Sequence, residues 1–319
     1  MNRIEVLIIS NKYDFSTDYV AYALQELGVS YLRINRDEFL NYSIKFLPET
    51  EELYIVLNGE KFYASNTVLK SVYYRAPTFL RILQPIGKPE DQLYKFQWAS
   101  FIRNLITFEN ALWINNPVNT YRAENKLYQL KIAKQIGFKT PHTIVSNDPN
   151  LCNIDRKEKY VIKTLDPGLL RINGKEAFIY TNIISGAHLL EADLRPAPVV
   201  IQEYLHPKLD IRVTVVRNKV WAVKILKQGK SISGDWRRTK KDELEYIPID
   251  LPENIRQLCF KLVKNLGLNF GAIDLTLCNG EYHFLEINPT GEWGWLVNTV
   301  DFNIHEEIAY LLFQGRNTS

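Results

Sequence analysis

The chain has 319 residues, of which 46% are hydrophobic and 24% charged, and its net charge of +3 is too small for a dedicated nucleic-acid-binding protein with a concentrated basic patch. This length suggests about two domains, or three small ones. The three cysteines show no disulfide or metal-ligand spacing, and no apolar run is long enough for a signal peptide or a membrane span, so we expect a cytoplasmic protein.

The N-terminal part is predicted to form a doubly wound α/β lobe. A strand over 4–10, a helix that ends at Gly28 and a strand over 30–35 give a βαβ opening. A further strand over 70–77 and a long helix over 90–112 follow. The lobe lacks G-x-G-x-x-G, so a Rossmann dinucleotide site is not supported.

A second unit begins near Asn119. Apolar residues recur at helical spacing over 123–137, which predicts a helix. The segments "YVIKTL" (160–165) and "AFIYTNI" (177–183) then indicate strands of a small sheet, separated by a polar loop.

A third unit begins with "APVVIQEYL" (197–205). Two strands around the Arg217-Asn218 turn, a glycine-containing loop over 227–239 and a helix over 252–267 follow. The strand pair "FGAIDLTL" and "EYHFLEIN" ends the unit. The chain is therefore predicted to combine α/β and α+β organisation.

Three oxygen-bearing side chains lie on that last strand pair. Glu286 and Asn288 are two residues apart, so they point to the same side of an extended chain. Two carboxylates with an amide oxygen suit Mg²⁺, and a three-residue turn over "CNG" would pair Asp274 with Phe284 and bring all three to one face. A two-residue turn would instead turn Asp274 away from Glu286, unless a β-bulge compensates. The alternative is a solvated hairpin face with incidental charges.

Two lysines are candidates for binding phosphate. Lys163 stands in the middle of an apolar strand, where an unpaired ammonium is costly to bury, and phosphate is one partner that would offset this cost. Lys126, near the start of a helix, could be a second contact. The alternative for both is an ordinary surface lysine.

Polar residues of the third unit supply further candidates. Backbone groups of the "QEYL" linker could read an adenine edge, while Glu203 offers a carboxylate. Asp210 and Arg212 alternate on one strand face, where Arg212 could clamp a phosphate or an acyl phosphate; a cross-strand ion pair is the alternative. The loop "GDWRR" carries Arg237 and Arg238, for which a surface turn is the alternative.

Taken in order, these motifs resemble the ATP-grasp superfamily. Within it, the chain is most similar to the graspetide (microviridin-type, omega-ester peptide) maturases, on the segments "DFSTDYV", "VYYRAP", "FIYTNI", "GDWRR" and "FLEINPTGEWGWL". Its opening resembles the grasp-with-spasm variant, and the tryptophan-rich ending separates it from RimK-type glutamate ligases. The resemblance implies a three-unit fold with ATP between the central and C-terminal sheets, with units at 1–118, 119–200 and 201–319. The glycine-rich phosphate loop of the family is sparse here, with only Gly168 and Gly174.

The resemblance also implies an ADP-forming ligase that uses ATP and Mg²⁺. ATP would phosphorylate an Asp or Glu side chain of a ribosomal precursor peptide, and a Ser, Thr or Lys side chain of the same peptide would close an ester or amide. The implied metal ligands are Asp274, Glu286 and Asn288, and the implied catalytic residues are Arg212, Arg237 and Asp235. The implied nucleotide-binding residues are Lys126, Lys163, Gln202, Glu203, Tyr204, Leu205, Asp210 and Lys224, the last standing where the glutamate ligases commonly have arginine.

Two other functions stay open from the sequence. One is a RimK-like ligase that adds an amino acid or peptide to a separate acceptor. The other is a nucleotide-binding regulatory module without turnover. The resemblance further implies a peptide leader that docks on the central unit and, by analogy only, a homodimer; neither a nucleic acid nor a membrane is expected as a partner.

Overall fold

The computed structural model describes residues 1–75, 88–166, 169–172 and 175–316, with the backbone alone over 169–172 and 175–178. Pro77, Gly168 and Gly174, on which sequence predictions fell, lie outside the described residues.

The N-terminal lobe contains two four-stranded sheets. Its elements are β1 Asn2–Arg3, β2 Val6–Ser10, α1 Phe15–Glu26, β3 Tyr31–Asn35, β4 Tyr42–Leu47, β5 Glu52–Leu57, β6 Glu60–Ser65, β7 Ser71–Tyr74, α2 Pro89–Asn104 and β8 Leu112–Ile114. One sheet is parallel, with strand order β3-β2-β7-β8, and every residue of β2 is buried, as a strand covered on both faces requires. The predicted βαβ opening is thus present.

Two features of this lobe differ from the prediction. The helix expected over 90–112 ends at Asn104, where a 3-10 turn, Leu105–Thr107, follows it, and β8 begins at the last residue of that range, Leu112. The antiparallel meander β4-β5-β6 was missed, although Asn58-Gly59, both at positive φ, is a strong hairpin signal between β5 and β6. This meander and β1 form the second sheet.

The central unit and the two short helices that precede its sheet come next in the chain. The elements are α3 Pro117–Ala123, α4 Lys126–Ile136, β9 Thr143–Ser146, β10 Lys159–Lys163, β11 Leu169–Ile172, β12 Lys175–Phe178, β13 Asn182–Ser185, α5 Gly186–Glu191 and β14 Val199–Glu203. The side chain of Asn125 accepts a hydrogen bond from Tyr128 N and caps α4, which ends at Gly137 in the left-handed conformation.

Strand β14 belongs to the central sheet and not to the C-terminal one. The central sheet has the order β13-β10-β14-β9, and β14 pairs on both sides within it. The expectation that "APVVIQEYL" opens the third unit is therefore wrong for its strand. The chain leaves the central sheet after Glu203, three residues beyond the predicted boundary at residue 200.

The C-terminal unit is built on a five-stranded antiparallel sheet of order β17-β16-β15-β18-β19. Its elements are β15 Lys208–Val216, β16 Lys219–Lys227, β17 Leu244–Pro248, α6 Glu253–Asn265, β18 Phe270–Cys278, β19 Glu281–Asn288, α7 Gly294–Val300 and α8 Ile304–Gln314. One sheet face is apolar and packs with residues of α4 and α6. The C-terminal helix α8 packs against α1 of the N-terminal lobe in a shared core.

A β-bulge in the β18–β19 hairpin determines that Asp274 and Glu286 lie on the same face of the sheet. Its turn is the two-residue loop Asn279-Gly280, since Cys278 pairs with Glu281, so the predicted three-residue loop is wrong. Leu275 pairs with Phe284, but Asp274 pairs with Glu286, because a register shift leaves Leu285 unpaired. The bulge, which was the other route considered, restores Asp274 and Glu286 to one face.

Within the described residues, no helix combines the length and the apolar character needed to cross a membrane.

Candidate active site

A cleft with about 690 Å³ of empty space lies between the central sheet and the C-terminal sheet. Its walls are formed by residues of β10 and β14 on one side and of β15, β18 and β19 on the other. Ten of the sequence-predicted site residues line it: Lys163, Gln202, Glu203, Tyr204, Leu205, Asp210, Asp235, Arg237, Asp274 and Glu286.

The three predicted metal ligands share one face of the C-terminal sheet. Asp274 pairs directly with Glu286, and Asn288 follows two residues later, opposite Ala272. Asp274 is buried, Glu286 is half-buried and Asn288 is exposed. The amide oxygen of Asn288 accepts hydrogen bonds from Thr290 N at 2.9 Å and from Thr290 Oγ1 at 3.2 Å, which fixes the side chain against its own turn.

Two arginines neutralise these carboxylates. Arg212, from the neighbouring strand β15, donates from Nη1 to Asp274 Oδ1 at 2.8 Å. Arg237, from the loop between β16 and β17, donates from Nη1 and Nη2 to Glu286 Oε1 at 3.1 and 3.2 Å. Its Nη2 also lies 4.0 Å from Asp274 Oδ2. A guanidinium thus bridges the two carboxylates on the open side.

Asp235 holds Arg237 in this position. Its Oδ1 accepts from Arg237 N at 3.1 Å and from Arg237 Nε at 3.0 Å, and its Oδ2 accepts from Thr181 N at 3.3 Å. The Thr181 contact ties the loop to the central sheet, so it spans the two walls of the cleft.

The electrostatics of the cleft keep Glu286 and Asp235 ionised. Burial alone would raise the pKa of Glu286, but the positive charges of Arg237, Lys163 and Lys126 lower it to about 2. Burial would likewise raise the pKa of Asp235, and Arg237 lowers it instead. The pKa of Arg237 is raised although partial desolvation opposes this, because Glu286, Asp274 and Asp235 surround it.

The two predicted phosphate lysines converge at the end of β10. Lys163 is half-buried, and desolvation lowers its pKa although Glu286 opposes this effect. Lys126, the first residue of α4, donates from Nζ to the carbonyl oxygen of Thr164 at 2.9 Å, immediately after Lys163. No carboxylate among the described side chains forms an ion pair with Lys163, so its ammonium is available to an anion in the cleft.

The predicted adenine hinge runs from the end of β14. Gln202 is buried and donates to Thr143 Oγ1 at 2.9 Å, while the carboxylate of Glu203 accepts from His142 N at 3.1 Å. Glu203 therefore braces the linker, and Tyr204 and Leu205 line the cleft beyond it. Among the described residues, the N–H of Leu205 makes no backbone hydrogen bond.

Asp210 lies on β15, in the C-terminal wall of the cleft, beside Lys208, a residue that the sequence analysis passed over. It is buried, and desolvation raises its pKa, although Lys208 forms an ion pair with it and opposes the shift. The alternation of Lys208 and Asp210 in "KLDIR" was the available signal, since alternate residues of a strand share a face.

Lys224 does not reach this cleft. It pairs with Ile211 on β15, whereas Arg212 pairs with Val223 and Asp274. Cross-strand partners share a face, so Lys224 lies on the opposite side of the sheet from the arginines and carboxylates. The prediction that Lys224 binds the nucleotide is therefore not supported by the structure.

A second groove adjoins the cleft and shares Thr181, Ile183, Gly234 and Asp235 with it. Two exposed basic residues, Arg238 and Lys240, line it. Arg238 donates to Asn182 Oδ1 and stacks over Tyr180 without a carboxylate partner among the described residues. The lining carries three basic residues, Lys227, Arg238 and Lys240, against two acidic ones, Asp235 and Glu243, so the groove is slightly positive.

Comparison with protein families identifies one match over most of the chain. The model of the RimK-like ATP-grasp domain matches residues 123–312, which contain all of the cleft residues described above.

Solved structures and a curated relative agree with this match. A RiPP-associated ATP-grasp ligase of Chryseobacterium gregarium, in complex with ADP and a leader and core peptide, is 28% identical with a TM-score of 0.80, over 100% of both chains. The macrocyclase MdnB of Microcystis aeruginosa is 26% identical with a TM-score of 0.75, over 98% of this chain and 100% of the other. Tetrahydromethanopterin:alpha-L-glutamate ligase of Methanocaldococcus jannaschii is 26% identical, over 91% of this chain and 98% of the relative.

Proposed function

The chain belongs to the RimK-like ATP-grasp family, and on that premise we propose that it is a peptide maturase that crosslinks side chains within a ribosomal precursor peptide. As an ATP-grasp ligase it forms ADP. The finer proposal is supported by its full-length similarity to a RiPP-associated ligase, a structure in complex with ADP and a leader and core peptide. The observation that carries the proposal is the cleft, in which Lys163 of the central sheet lies across from Arg237, Asp274 and Glu286 of the C-terminal unit.

The residues of the cleft suit a nucleotide. Lys163 and Lys126 would hold the phosphates, and the surplus of positive charge at the end of β10 favours an anion there. The linker from Gln202 to Leu205 would frame the adenine, through backbone groups and not through the carboxylate of Glu203, which is bonded to His142. Asp210 lines the wall beside the linker.

By residue type, Asp274, Glu286 and Asn288 form a donor set that fits Mg²⁺, and Asn288 would bind the ion by exchanging its hydrogen bonds from Thr290 for the metal. Among the described residues, no three His, Cys, Asp or Glu side chains form a metal cluster. Two carboxylates with an amide oxygen are instead the small, hard set that Mg²⁺ supplements with water and substrate phosphates. Asp274 Oδ2 lies 4.0 Å from Arg237 Nη2, beyond hydrogen-bonding distance, so it is the oxygen of this carboxylate that would bind a cation. Mg²⁺ in this place would neutralise charge on the nucleotide phosphates.

The first step would be attack by a carboxylate oxygen of an Asp or Glu side chain of the peptide on the γ-phosphorus of ATP. ADP leaves, and an acyl phosphate forms. Arg212 and Arg237 would bind the acyl phosphate and the tetrahedral oxyanion that follows it. Asp235, kept ionised by Arg237, would hold that guanidinium against the reacting carboxylate.

The second step would be attack by a Ser or Thr hydroxyl, or by a Lys amine, on the acyl carbon. Phosphate leaves, the nucleophile loses its proton, and an ester or amide closes the ring. No covalent bond to the enzyme is needed, so catalysis would rest on positioning and on charge stabilisation. The basic groove beside Arg238 and Lys240 would guide an acidic peptide toward the cleft.

The proposal is tested by mass spectrometry of the candidate precursor encoded next to the gene, incubated with the protein, ATP and Mg²⁺. We expect the peptide to lose the mass of one water for each bond formed, because each crosslink is a condensation. An unchanged peptide mass, under conditions in which ADP binding has been verified, would contradict it.

One observation favours a second function. The 26% identity to a glutamate ligase extends over 91% of the chain, so addition of an amino acid to a separate acceptor is the alternative. In that case the acceptor would gain the mass of the added unit. ADP release with and without peptide separates both ligases from a regulatory module without turnover.

A further inference from the structure

The segment that follows the metal strand, "INPTGE" (287–292), is gripped by buried polar side chains from three distant parts of the chain. We call it the INPTGE segment. It begins between the two donors Glu286 and Asn288, so any displacement of its backbone displaces them. β19 is an edge strand, and the outward backbone groups of an edge strand have no partner in the sheet.

Gln129 supplies that missing partner at Ile287. Its Oε1 accepts from Ile287 N at 3.1 Å, and its Nε2 donates to Ile287 O at 2.8 Å. A primary amide has both a donor and an acceptor, so it pairs with the edge as another strand would. Gln129 lies on α4, is buried, and also donates to Ala123 O at 2.6 Å.

Asn115 and Arg75 anchor the segment further on, from the ends of β8 and β7 in the N-terminal lobe. Asn115, which is buried, donates from Nδ2 to Pro289 O at 2.8 Å and to Phe270 O at 2.9 Å. Arg75, also buried, donates to Thr290 O and, at 2.6 Å, to Glu292 Oε2.

The active-site arginine closes the set of contacts from the other side. Arg212 donates from Nη2 to Glu292 O at 3.3 Å while its Nη1 binds Asp274. A Cβ at Gly291 would come within 2.9 Å of Arg212 Nη2 and 2.5 Å of Ala272 Cβ, so only glycine lets the guanidinium lie there. The backbone at 287, 289, 290 and 292 is thus fixed by four side chains.

We propose that Gln129, Asn115 and Arg75 are positioning residues that hold Glu286 and Asn288 in the geometry needed to bind a divalent cation. None of the three lies in the cleft, so each would act through the INPTGE segment. The inference rests on the proposed metal set. The N-terminal lobe would contribute directly to metal affinity, because two of the three anchors belong to it.

The test measures Mn²⁺ binding by electron paramagnetic resonance, with the non-hydrolysable nucleotide AMP-PNP present. Gln129→Ala should weaken Mn²⁺ binding about tenfold, the lower end of the effect of losing an outer contact to a metal ligand. It should also speed hydrogen exchange at the amide of Ile287. Gln135→Ala, an exposed glutamine on the same helix, is the matched control and should change neither.

Equal Mn²⁺ affinity in Gln129→Ala and the wild type would overturn the inference. So would a loss of affinity that matches the loss of folded protein in thermal unfolding. Should Gln129→Ala not fold, Arg75→Lys, which keeps the charge but loses donors to the segment, must show the same weakening. Glu286→Gln distinguishes a failure of the positioning inference from a failure of the proposed metal ligands. If Glu286→Gln abolishes Mn²⁺ binding and the positioning variants do not weaken it, only the positioning inference fails. If Glu286→Gln also leaves binding unchanged, the metal set itself is wrong.

Discussion

Glu286 is an acidic side chain that stays ionised in a half-buried position. Its pKa of about 2 reflects three cations, Arg237, Lys163 and Lys126, that outweigh the cost of its burial. Because cations surround Glu286, it does not match the alternative interpretation of an incidental charge on a solvated hairpin face. It suits a residue whose charge is needed in the bound state, when a nucleotide and a cation enter the cleft.

The replacement Glu286→Gln tests this at the residue scale. We expect ADP formation to fall at least a hundredfold, since the variant removes one of the two charges that would bind the cation. Stability should fall by about as much as in Arg237→Gln, on the order of 1 kcal/mol, and the variant should stay folded, because Arg237 keeps Asp235 as a partner and its side chain is 44% exposed. Steady-state ADP release and thermal unfolding are the measurements. Glu281→Gln, an exposed acid on the same strand, is the control, and normal turnover by Glu286→Gln would mean that the metal assignment is wrong.

The loop between β16 and β17, residues 228–243, places two charged side chains, Asp235 and Arg237, in the cleft. It contributes Arg237 to the carboxylates of the C-terminal sheet and, through Asp235, a contact to Thr181 of the central unit. In the sequence this loop is a polar, glycine-containing stretch for which a surface turn is the alternative interpretation. Only the fold places it over the cleft.

The pH dependence of folding stability in the variant Arg237→Gln tests whether this loop keeps Glu286 ionised. The folded pKa of Glu286 is about 2 and lies below its unfolded value of about 4.3, so its ionisation stabilises the fold above about pH 4.3. That contribution is lost as the pH falls from about 4.3 to 2. Without Arg237 the folded pKa rises. The variant should therefore lose on the order of 1 kcal/mol near pH 7, allowing for the exposure of Arg237.

The difference between Arg237→Gln and the wild type should shrink below about pH 4, where Glu286 becomes protonated in the variant. Chemical denaturation at a series of pH values is the measurement. Arg238→Gln is the matched control, because its guanidinium contacts Asn182 and Tyr180 and not Glu286. A pH-independent difference for Arg237→Gln would show that Arg237 does not set the charge of Glu286.

At the scale of the whole molecule, the cleft is a joint between two sheets that share no strand. Lys163 and the hinge belong to the central sheet, and the acids belong to the C-terminal sheet. A nucleotide bound between them would link the unfolding of the two sheets. Ligand that binds only the folded state stabilises it by mass action, by about 2.7 kcal/mol at a concentration of a hundred times Kd.

We therefore expect AMP-PNP with Mg²⁺ to raise the thermal midpoint of the protein by several degrees. Lys163→Ala should reduce this rise at the same nucleotide concentration, because it removes a cation that would hold the phosphates. Lys159→Ala, at the exposed start of the same strand, should keep the full rise. An equal rise in both variants would make Lys163 a surface residue without a role in nucleotide binding.

The order of the motifs along the chain could be recognised from the sequence alone. The apolar runs predicted β2, β3 and β7 of the parallel sheet but not β8, and the helical spacing predicted α4 and α6. The residue types in "YVIKTL", "DIR" and "EIN" indicated phosphate and metal chemistry, since each type has few uses in an apolar strand. Most of the candidate site could therefore be named by residue before its geometry was known.

The faces of the strands were decided only by the tertiary structure. Whether Asp274 meets Glu286 depends on one unpaired residue, Leu285, since a shift of one residue turns a whole strand over. Lys224 was misplaced for the same reason, as its register with Ile211 cannot be read from its neighbours in the chain. The grip of Gln129, Asn115 and Arg75 on the INPTGE segment is likewise a product of folding, because it joins positions more than a hundred residues apart. Local sequence selects residue types and periodicity, whereas long-range packing fixes register and determines which buried polar groups meet.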